Sequence, residues 1–202
     1  MADGAKAGYG SVWGSELRQD RDAIFEFYLT KHFEKLADVF FEALSSAFGA
    51  TLVECQSNES LLSTMLYQFT ENINAEAILF ADDFQSKLAM ADAVFGREDF
   101  ENENKSDVGG YFLKQNGEVV ATGGFMLNYN KPYADIYMDV KEPCRQKGFG
   151  SLMVQKLKRE IYLTDRVPSA RCNVNKKASK ATLLKAGFKV CGALLKGNIK
   201  GM

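Results

Sequence analysis

Histidine is almost missing from this chain of 202 residues: His32 is the only one. That removes nearly every mechanism that relies on an imidazole as base, nucleophile partner or metal ligand. His32 stands beside Phe33 in a stretch of helical spacing and reads as structural. Cysteine is sparse as well. Cys55, Cys144, Cys172 and Cys191 form no CxxC pair and no metal-ligand spacing, so no metal is expected. Cys55, Cys172 and Cys191 lie in apolar strand-like runs and should be buried free thiols. No apolar run is long enough to span a bilayer, and the first residues lack the charged-then-apolar pattern of a secretory signal. A cytoplasmic protein without membrane partners is the expectation.

Charge of one sign is also scarce in each half. Up to Asp107 the chain has 8 Lys and Arg against 20 Asp and Glu; from Val108 onward it has 17 against 6. A basic half can mean nucleic acid, but aromatic interleaving and a recognition motif are absent, so no nucleic-acid partner is expected. The acidic half can attract a cationic substrate or simply complement the basic one. Apolar residues make up 46% of the chain, enough for one large domain or two small ones.

The organisation follows from spacing. Residues 1–15 carry Gly4, Gly8, Gly10 and Gly14 and read as a flexible tail. Residues 16–97 read as an N-terminal helical and α/β region on the substrate side. From Asp20 to Phe48 the apolar residues Phe33, Leu36, Ala37, Phe40, Phe41, Leu44 and Phe48 predict one or two long helices ended by Gly49. Thr51–Cys55 predicts a strand. Ser57 or Asn58 can cap a helix carrying Leu61, Leu62, Met65, Leu66 and Phe69, and Ala77–Phe80 predicts another strand. Residues 98–108 are an acidic linker or loop, and 109–202 form the second region. There, Gly110–Gln115, Val119–Leu127 and Tyr133–Val140 predict three sequential strands, with Asn116-Gly117 as a hairpin turn. Gly123-Gly124 within a strand points to a bulge or a close approach.

The most informative segment follows the third of these strands. Arg145-Gln146-Lys147-Gly148-Phe149-Gly150-Ser151 leads into a helix whose Phe149, Met153, Leu157 and Ile161 recur every four residues, with Leu152 on the same face. A strand, a glycine-bearing turn and a helix with unpartnered first N–H groups make an anion site suited to a phosphate or pyrophosphate. A dinucleotide fingerprint would need glycine where Met153 stands, and a P-loop would need Gly-Lys-Ser/Thr; neither is present.

Val140, Arg145, Gly148 and Gly150 in this spacing resemble the acetyl-CoA signature of the GNAT superfamily of N-acetyltransferases. Further on, a strand over Ala170-Arg-Cys-Asn-Val-Asn175 and a helix from Lys177 to Ala186 closed by Gly187-Phe188 resemble the family's second block. The spacing of Ser179, Leu183, Lys185, Gly187 and Phe188 is most similar to the branch that acetylates protein N-termini. The resemblance covers about residues 111–199. It implies an α/β fold with a mixed sheet and acetyl-CoA as cosubstrate, without a metal. It also implies transfer of acetyl by direct attack of a primary amine on a small molecule, peptide or protein. A homodimer is a further open expectation.

The resemblance also assigns roles. Amides from Gln146 to Ser151, with Arg145 and Lys147 at the rim, would hold the pyrophosphate. In the family a bulge in the preceding strand splays it from the next one, and the pantetheine arm pairs with the opened edge. Here that edge is Met138 to Val140, with the Val140 N–H region against the thioester carbonyl, facing Cys172, Asn173 and Asn175. Strand alternation sends Tyr133, Asp135, Tyr137 and Asp139 to one face. Asp135 lies within one residue of a carboxylate base found in some members, and Asp139 is the other candidate; base catalysis through ordered water stays open. Many members carry a tyrosine acid where this chain has Leu183, which leaves Ser179, Tyr137 and Tyr129 as candidate acids, or none. The alternative function is a non-catalytic acyl-CoA sensor or scaffold of the same fold.

The N-terminal half faintly repeats the C-terminal one. Setting Ser60 against Ser179 places Glu54 beside Asn173 and Phe69 beside Phe188, which leaves two readings open: a degenerate GNAT-like half without the glycine turn, or coincidental α/β alternation.

Overall fold

A computed structural model describes residues 4–14, 22–98, 106–128 and 131–201. The chain divides into two compact units, Met1–Ala77 with Gly192–Met202, and Ile78–Cys191. No described helix is long and apolar enough to cross a membrane.

In the first unit, β1 (Gly8–Trp13) pairs antiparallel with β2 (Ala23–Leu29). Helix α1 (Ala37–Phe48) follows, then β3 (Leu52–Gln56), which lies parallel to β2. Helix α2 (Ser60–Phe69) leads into β4 (Thr70–Asp82). The end of the last strand, β10 (Phe188–Ile199), pairs antiparallel with β3 from Leu194 to Asn198. Ile24, Phe27, Phe41, Val53, Leu62, Met65 and Leu66 form the core of this unit.

Three expectations change here. Gly8–Trp13, read as part of a tail, is a strand, because its backbone finds a partner in β2. The segment before residue 30, read as helix, is a strand: Ala23, Ile24, Phe27 and Leu29 are buried, and pairing with β1 overrides the apolar spacing. The helical pattern holds only from Ala37 to Phe48, and it stops at Gly49 as expected. Glu59, not Ser57 or Asn58, stands at the N-cap of α2; Ser57 Oγ instead accepts the Ala193 N–H at 2.9 Å.

The second unit orders its strands β4-β9-β8-β7-β6-β5. Strands β5 (Ala93–Arg97), β6 (Asp107–Gln115), β7 (Glu118–Met126) and β8 (Tyr133–Val140) are antiparallel neighbours. Helix α3 (Phe149–Tyr162) then crosses to β9 (Val167–Asn173), which is parallel to β8, and α4 (Lys177–Lys185) precedes β10. Asn116 and Gly117 have φ of 51° and 82°, the left-handed pair that a two-residue hairpin needs. Strand β5 had no reading in the sequence: five residues holding Gly96 and Arg97 show no alternation. Of the acidic stretch 98–108, residues 99–105 lie outside the described residues, and Asp107 opens β6.

Helix α3 carries the core. Phe149, Leu152, Met153, Val154, Leu157 and Ile161 pack on Leu113, Phe125, Ala134 and Ile136 from the sheet. One cation shares that buried face. Lys158, 3% exposed, pairs with Asp82 and donates to the carbonyls of Phe84 at 2.8 Å and Ala186 at 3.1 Å. This buried charge is tolerated because it is paired and its donors are satisfied.

Two series along the chain share one order of parts: an antiparallel pair, a crossover helix, a parallel third strand, a second helix and a last strand. The first series is β1, β2, α1, β3, α2, β4; the second is β7, β8, α3, β9, α4, β10. In each unit the third strand neighbours the last strand of the other series, β3 beside β10 and β9 beside β4. The faint repeat in the sequence therefore has a matching strand order.

Candidate functional site: a diphosphate turn and an opened strand pair

The turn between β8 and α3 combines an extended residue with two left-handed ones. Arg145 has φ −63° and ψ 156°, Gln146 has φ 61°, and Gly148 has φ 91°. Successive amides in such a turn point inward together and make an anion-binding nest. Among the described residues, no protein group accepts from the N–H groups of Gln146 to Ser151; the first bond of the helix is Leu152 N–H to the Gly148 carbonyl. Gly150 permits close packing: a Cβ there would stand 3.1 Å from Thr182 Cγ2 and 3.3 Å from Met138 Cε.

Cations surround this nest. Arg145 Nε donates to the Val140 carbonyl at 3.0 Å, and its Nη2 lies 3.8 Å from Asp139 Oδ1, so the guanidinium is fixed beside the end of β8. A Cβ built on Gly148 would stand 3.8 Å from Lys185 Nζ, which places that ammonium at the turn too. Lys185 was only part of a spacing pattern in the sequence; its approach depends on how α4 packs against α3. Ser151 keeps the amide role assigned to it. Its hydroxyl is buried and donates to the Thr182 carbonyl at 3.1 Å, so only its amide faces the nest.

Next to the turn, β8 and β9 part. They pair at Tyr133↔Val167, Ala134↔Pro168 and Asp135↔Ser169, and no further, although β8 runs on to Val140 and β9 to Asn173. The opened edges are Ile136–Val140 and Ala170–Asn173. No bulge in β8 accompanies the opening: its register with β7 is unbroken from Ala121↔Val140 to Met126↔Asp135. The irregularities lie on the other side of β7, against β6, between Val108 and Tyr111 and between Leu113 and Lys114. Asn173 faces solvent at the end of β9, and its Oδ1 accepts the Asn175 N–H at 2.9 Å. Asn175 therefore belongs to the turn before α4 and not to the strand edge.

The first unit has the same parting without the nest. Strands β2 and β3 pair only at Ala23↔Leu52 and Ile24↔Val53. Before α1, however, the amides of Phe33 and Leu36 are bonded to the carbonyls of Thr30 and Phe33, and Glu34 and Asp38 add negative charge. A phosphate finds no free nest there.

Side-chain alternation along β8 follows the sequence. Ala134 and Ile136 enter the core under α3, while Tyr133, Tyr137 and Asp139 face outward. Asp135 shares that outward face but is only 7% exposed. Its Oδ2 lies 3.3 Å from Arg171 Nε on β9. Burial pushes the Asp135 carboxyl above the ordinary aspartate range, against the smaller downward pull of Arg171.

Tyr137 and Asp139 line a cleft of about 470 Å³ on the same face, together with Glu98, Phe112, Thr122, Gly123 and Met138. The Tyr137 hydroxyl donates to Asp107 Oδ1 at 2.7 Å, and burial, followed by that bond, holds its phenol up at about 12. The ring lies flat across β7 towards β6: a Cβ on Gly124 would stand 2.8 Å from Tyr137 Cζ, and one on Gly109 2.8 Å from its hydroxyl. That close approach, together with that of the Val108 carbonyl, accounts for Gly124. Ser179 is half-buried in the first turn of α4, and Leu183 is buried in the core, 6% exposed. Tyr129 lies outside the described residues.

Cys55, Cys144, Cys172 and Cys191 are all free; Cys55 and Cys172 are buried, whereas Cys191 is exposed on β10, contrary to its apolar neighbours' suggestion. Among the described residues, no group of three or more His, Cys, Asp or Glu side chains is placed to hold a metal.

The model of the acetyltransferase (GNAT) family matches residues 77–188. No curated protein sequence matches the chain. Among solved structures, a GNAT-family acetyltransferase from Colwellia psychrerythraea is similar over 99% of this chain and 84% of its own, with TM-score 0.74 and 13% identity. A GCN5-related N-acetyltransferase from Kribbella flavida is similar over 98% of this chain and 89% of its own, with TM-score 0.60 and 12% identity. A tandem GNAT protein from the clavulanic acid biosynthesis pathway is similar over 98% of this chain and 81% of its own, with TM-score 0.56 and 8% identity. Identities this low establish the fold alone, and they do so for nearly the whole chain rather than for its C-terminal half. With the family model covering more than half of the residues, including the turn and the opened strands, the chain belongs to the acetyltransferase (GNAT) family and is a GNAT-family N-acetyltransferase.

Proposed function

We propose that the protein transfers acetyl from acetyl-CoA to a primary amine by direct attack. The observation that carries this is the coincidence of six unbonded amides, Gln146–Ser151, with strands that stop pairing at Asp135↔Ser169. The residues fit the cosubstrate: the nest and Lys185 suit a diphosphate, and the edges Met138–Val140 and Cys172–Asn173 offer backbone groups to an amide-bearing arm. Acetyl-CoA supplies an acyl group activated as a thioester. Backbone N–H groups of the opened β8 edge, at the end of the arm away from the turn, polarise the thioester carbonyl.

Asp135 takes the proton of the amine. It lies on the outward face where the gap closes, and burial keeps its proton affinity above that of an ordinary carboxylate, which suits a general base. The cleft beside Tyr137 and Asp139 receives the substrate, and Glu98 and Asp139 favour a cationic one. The Tyr137 hydroxyl is committed to Asp107, and the core position of Leu183 supplies no acid. Coenzyme A thiolate is a tolerable leaving group near neutral pH and departs without a dedicated acid.

Leu183 favours one second reading, acyl-CoA binding without turnover. Release of free thiol from acetyl-CoA with a panel of peptide N-termini and small primary amines separates the two. Amine-dependent release supports the transferase; calorimetric binding without release by any amine supports the binding module.

A further inference from the structure

Resting on that reading of the gap, we propose that Arg171 and Asp135 form a strap across its closed end that limits the donor to acyl groups about as short as acetyl. The direction of the arm follows from the fold. Its diphosphate end belongs at the turn after Val140, so its acyl end lies farthest from that turn, towards Asp135↔Ser169. The opening on β8 is five residues, about 16 Å at strand rise, and it has a floor, an end and a partial lid. The floor is core: Ile136, Ala170 and Cys172 are each at most 8% exposed and pack with Met153 and Leu157, which are fully buried. The end is the resumed pairing at Asp135. The lid is the Arg171 side chain, which reaches from β9 back to β8 on the outward face, Nε 3.3 Å from Asp135 Oδ2.

Arg171 is 42% exposed and the carboxylate it covers only 9%, so the guanidinium is both the outer surface of this corner and the partner of a charge that water scarcely reaches. A chain several carbons longer than acetyl has no route into the core below and none along the strands. It must lift Arg171 away and leave Asp135 buried without its cation, which opposes binding. Acetyl needs no such displacement. The pair is thus a specificity device for the donor, in addition to the proton transfer assigned to Asp135.

Calorimetry on the full chain with CoA, acetyl-CoA, butyryl-CoA, hexanoyl-CoA and succinyl-CoA tests this without any amine. Wild type should bind acetyl-CoA at least tenfold more tightly than butyryl- or hexanoyl-CoA. Arg171→Ala should bring those affinities within threefold of one another while acetyl-CoA binding changes by less than threefold. Arg171→Lys, which keeps the charge pair, should retain the discrimination, and Asp135→Asn should relax it as Arg171→Ala does. Equal wild-type affinity across chain lengths, discrimination that survives both relaxing variants, or succinyl-CoA binding more tightly than acetyl-CoA overturns the strap. Failure of wild type to bind even CoA overturns the cofactor assignment together with it, a result distinct from the other three.

Discussion

Gly148→Ala isolates the nest from the rest of the fold. Gly148 has φ 91°, where a Cβ costs about 1–2 kcal/mol. An added Cβ meets only Lys185 Nζ at 3.8 Å and Met90 Cε at 3.9 Å, ordinary contacts that add no clash. The stability loss should therefore stay near that strain, a fall in Tm of about 2–8 °C for a chain of this size. Relief of the strain rotates the turn and takes at least one amide away from the diphosphate. A hydrogen bond to a charged group is worth roughly 1.5–3 kcal/mol, so acetyl-CoA should bind about ten to a hundred times more weakly. Gly117→Ala is the matched control: its φ is 82°, nothing lies within 4 Å of the added Cβ, and it sits in the hairpin turn between β6 and β7. It should reproduce the thermal loss and leave binding unchanged. Thermal melts and calorimetry on both variants measure this. Acetyl-CoA affinity within twofold of wild type in Gly148→Ala, with the same Tm loss as Gly117→Ala, would refute the nest as the diphosphate site.

Three other outcomes follow from the same geometry. Because folding raises the proton affinity of Asp135, its contribution to stability is present below the ordinary aspartate value and is lost as pH rises through the raised one. The acidic limb of kcat/KM should lie above the usual carboxylate range, near pH 4, and move higher still in Arg171→Ala; Asp135→Asn should remove the limb, and a normal rate and profile in that variant would exclude Asp135 as the base. Lys158→Ala leaves Asp82 buried without its cation and should cost about 3–5 kcal/mol, read as a lower urea midpoint at unchanged slope. Lys185→Ala removes an exposed ammonium beside the turn and should weaken acetyl-CoA binding about two- to fivefold, with the difference shrinking as salt rises; an equal loss at all salt concentrations would place Lys185 in packing instead.

Local signals were legible where a residue's conformation is decided by near neighbours. Asn116-Gly117 marked its hairpin, Gly49 its helix end, and the four-residue spacing from Phe149 to Ile161 the buried face of α3. Residues 23–29 misled for the opposite reason. Their apolar content fits either periodicity, and only the partner strand β1, itself hidden in a glycine-rich start, decides for a strand. The site divides the same way. Arg145, Gly148 and Gly150 are consecutive enough to be read as a turn, but Lys185, Arg171 and Asp107 come from α4, β9 and β6, and no spacing links them to it.

The sequence by itself determined the anion turn, because a left-handed glycine between a strand and an amphipathic helix exposes amides whatever surrounds them. Tertiary structure alone decided that β8 and β9 stop pairing at Asp135, that Asp135 is buried while its neighbours on the same face are exposed, and that Arg171 covers it. Whether a strand pair closes or opens, and whether a carboxylate meets water or a guanidinium, depends on which distant segments arrive beside it, and strand alternation records only the face.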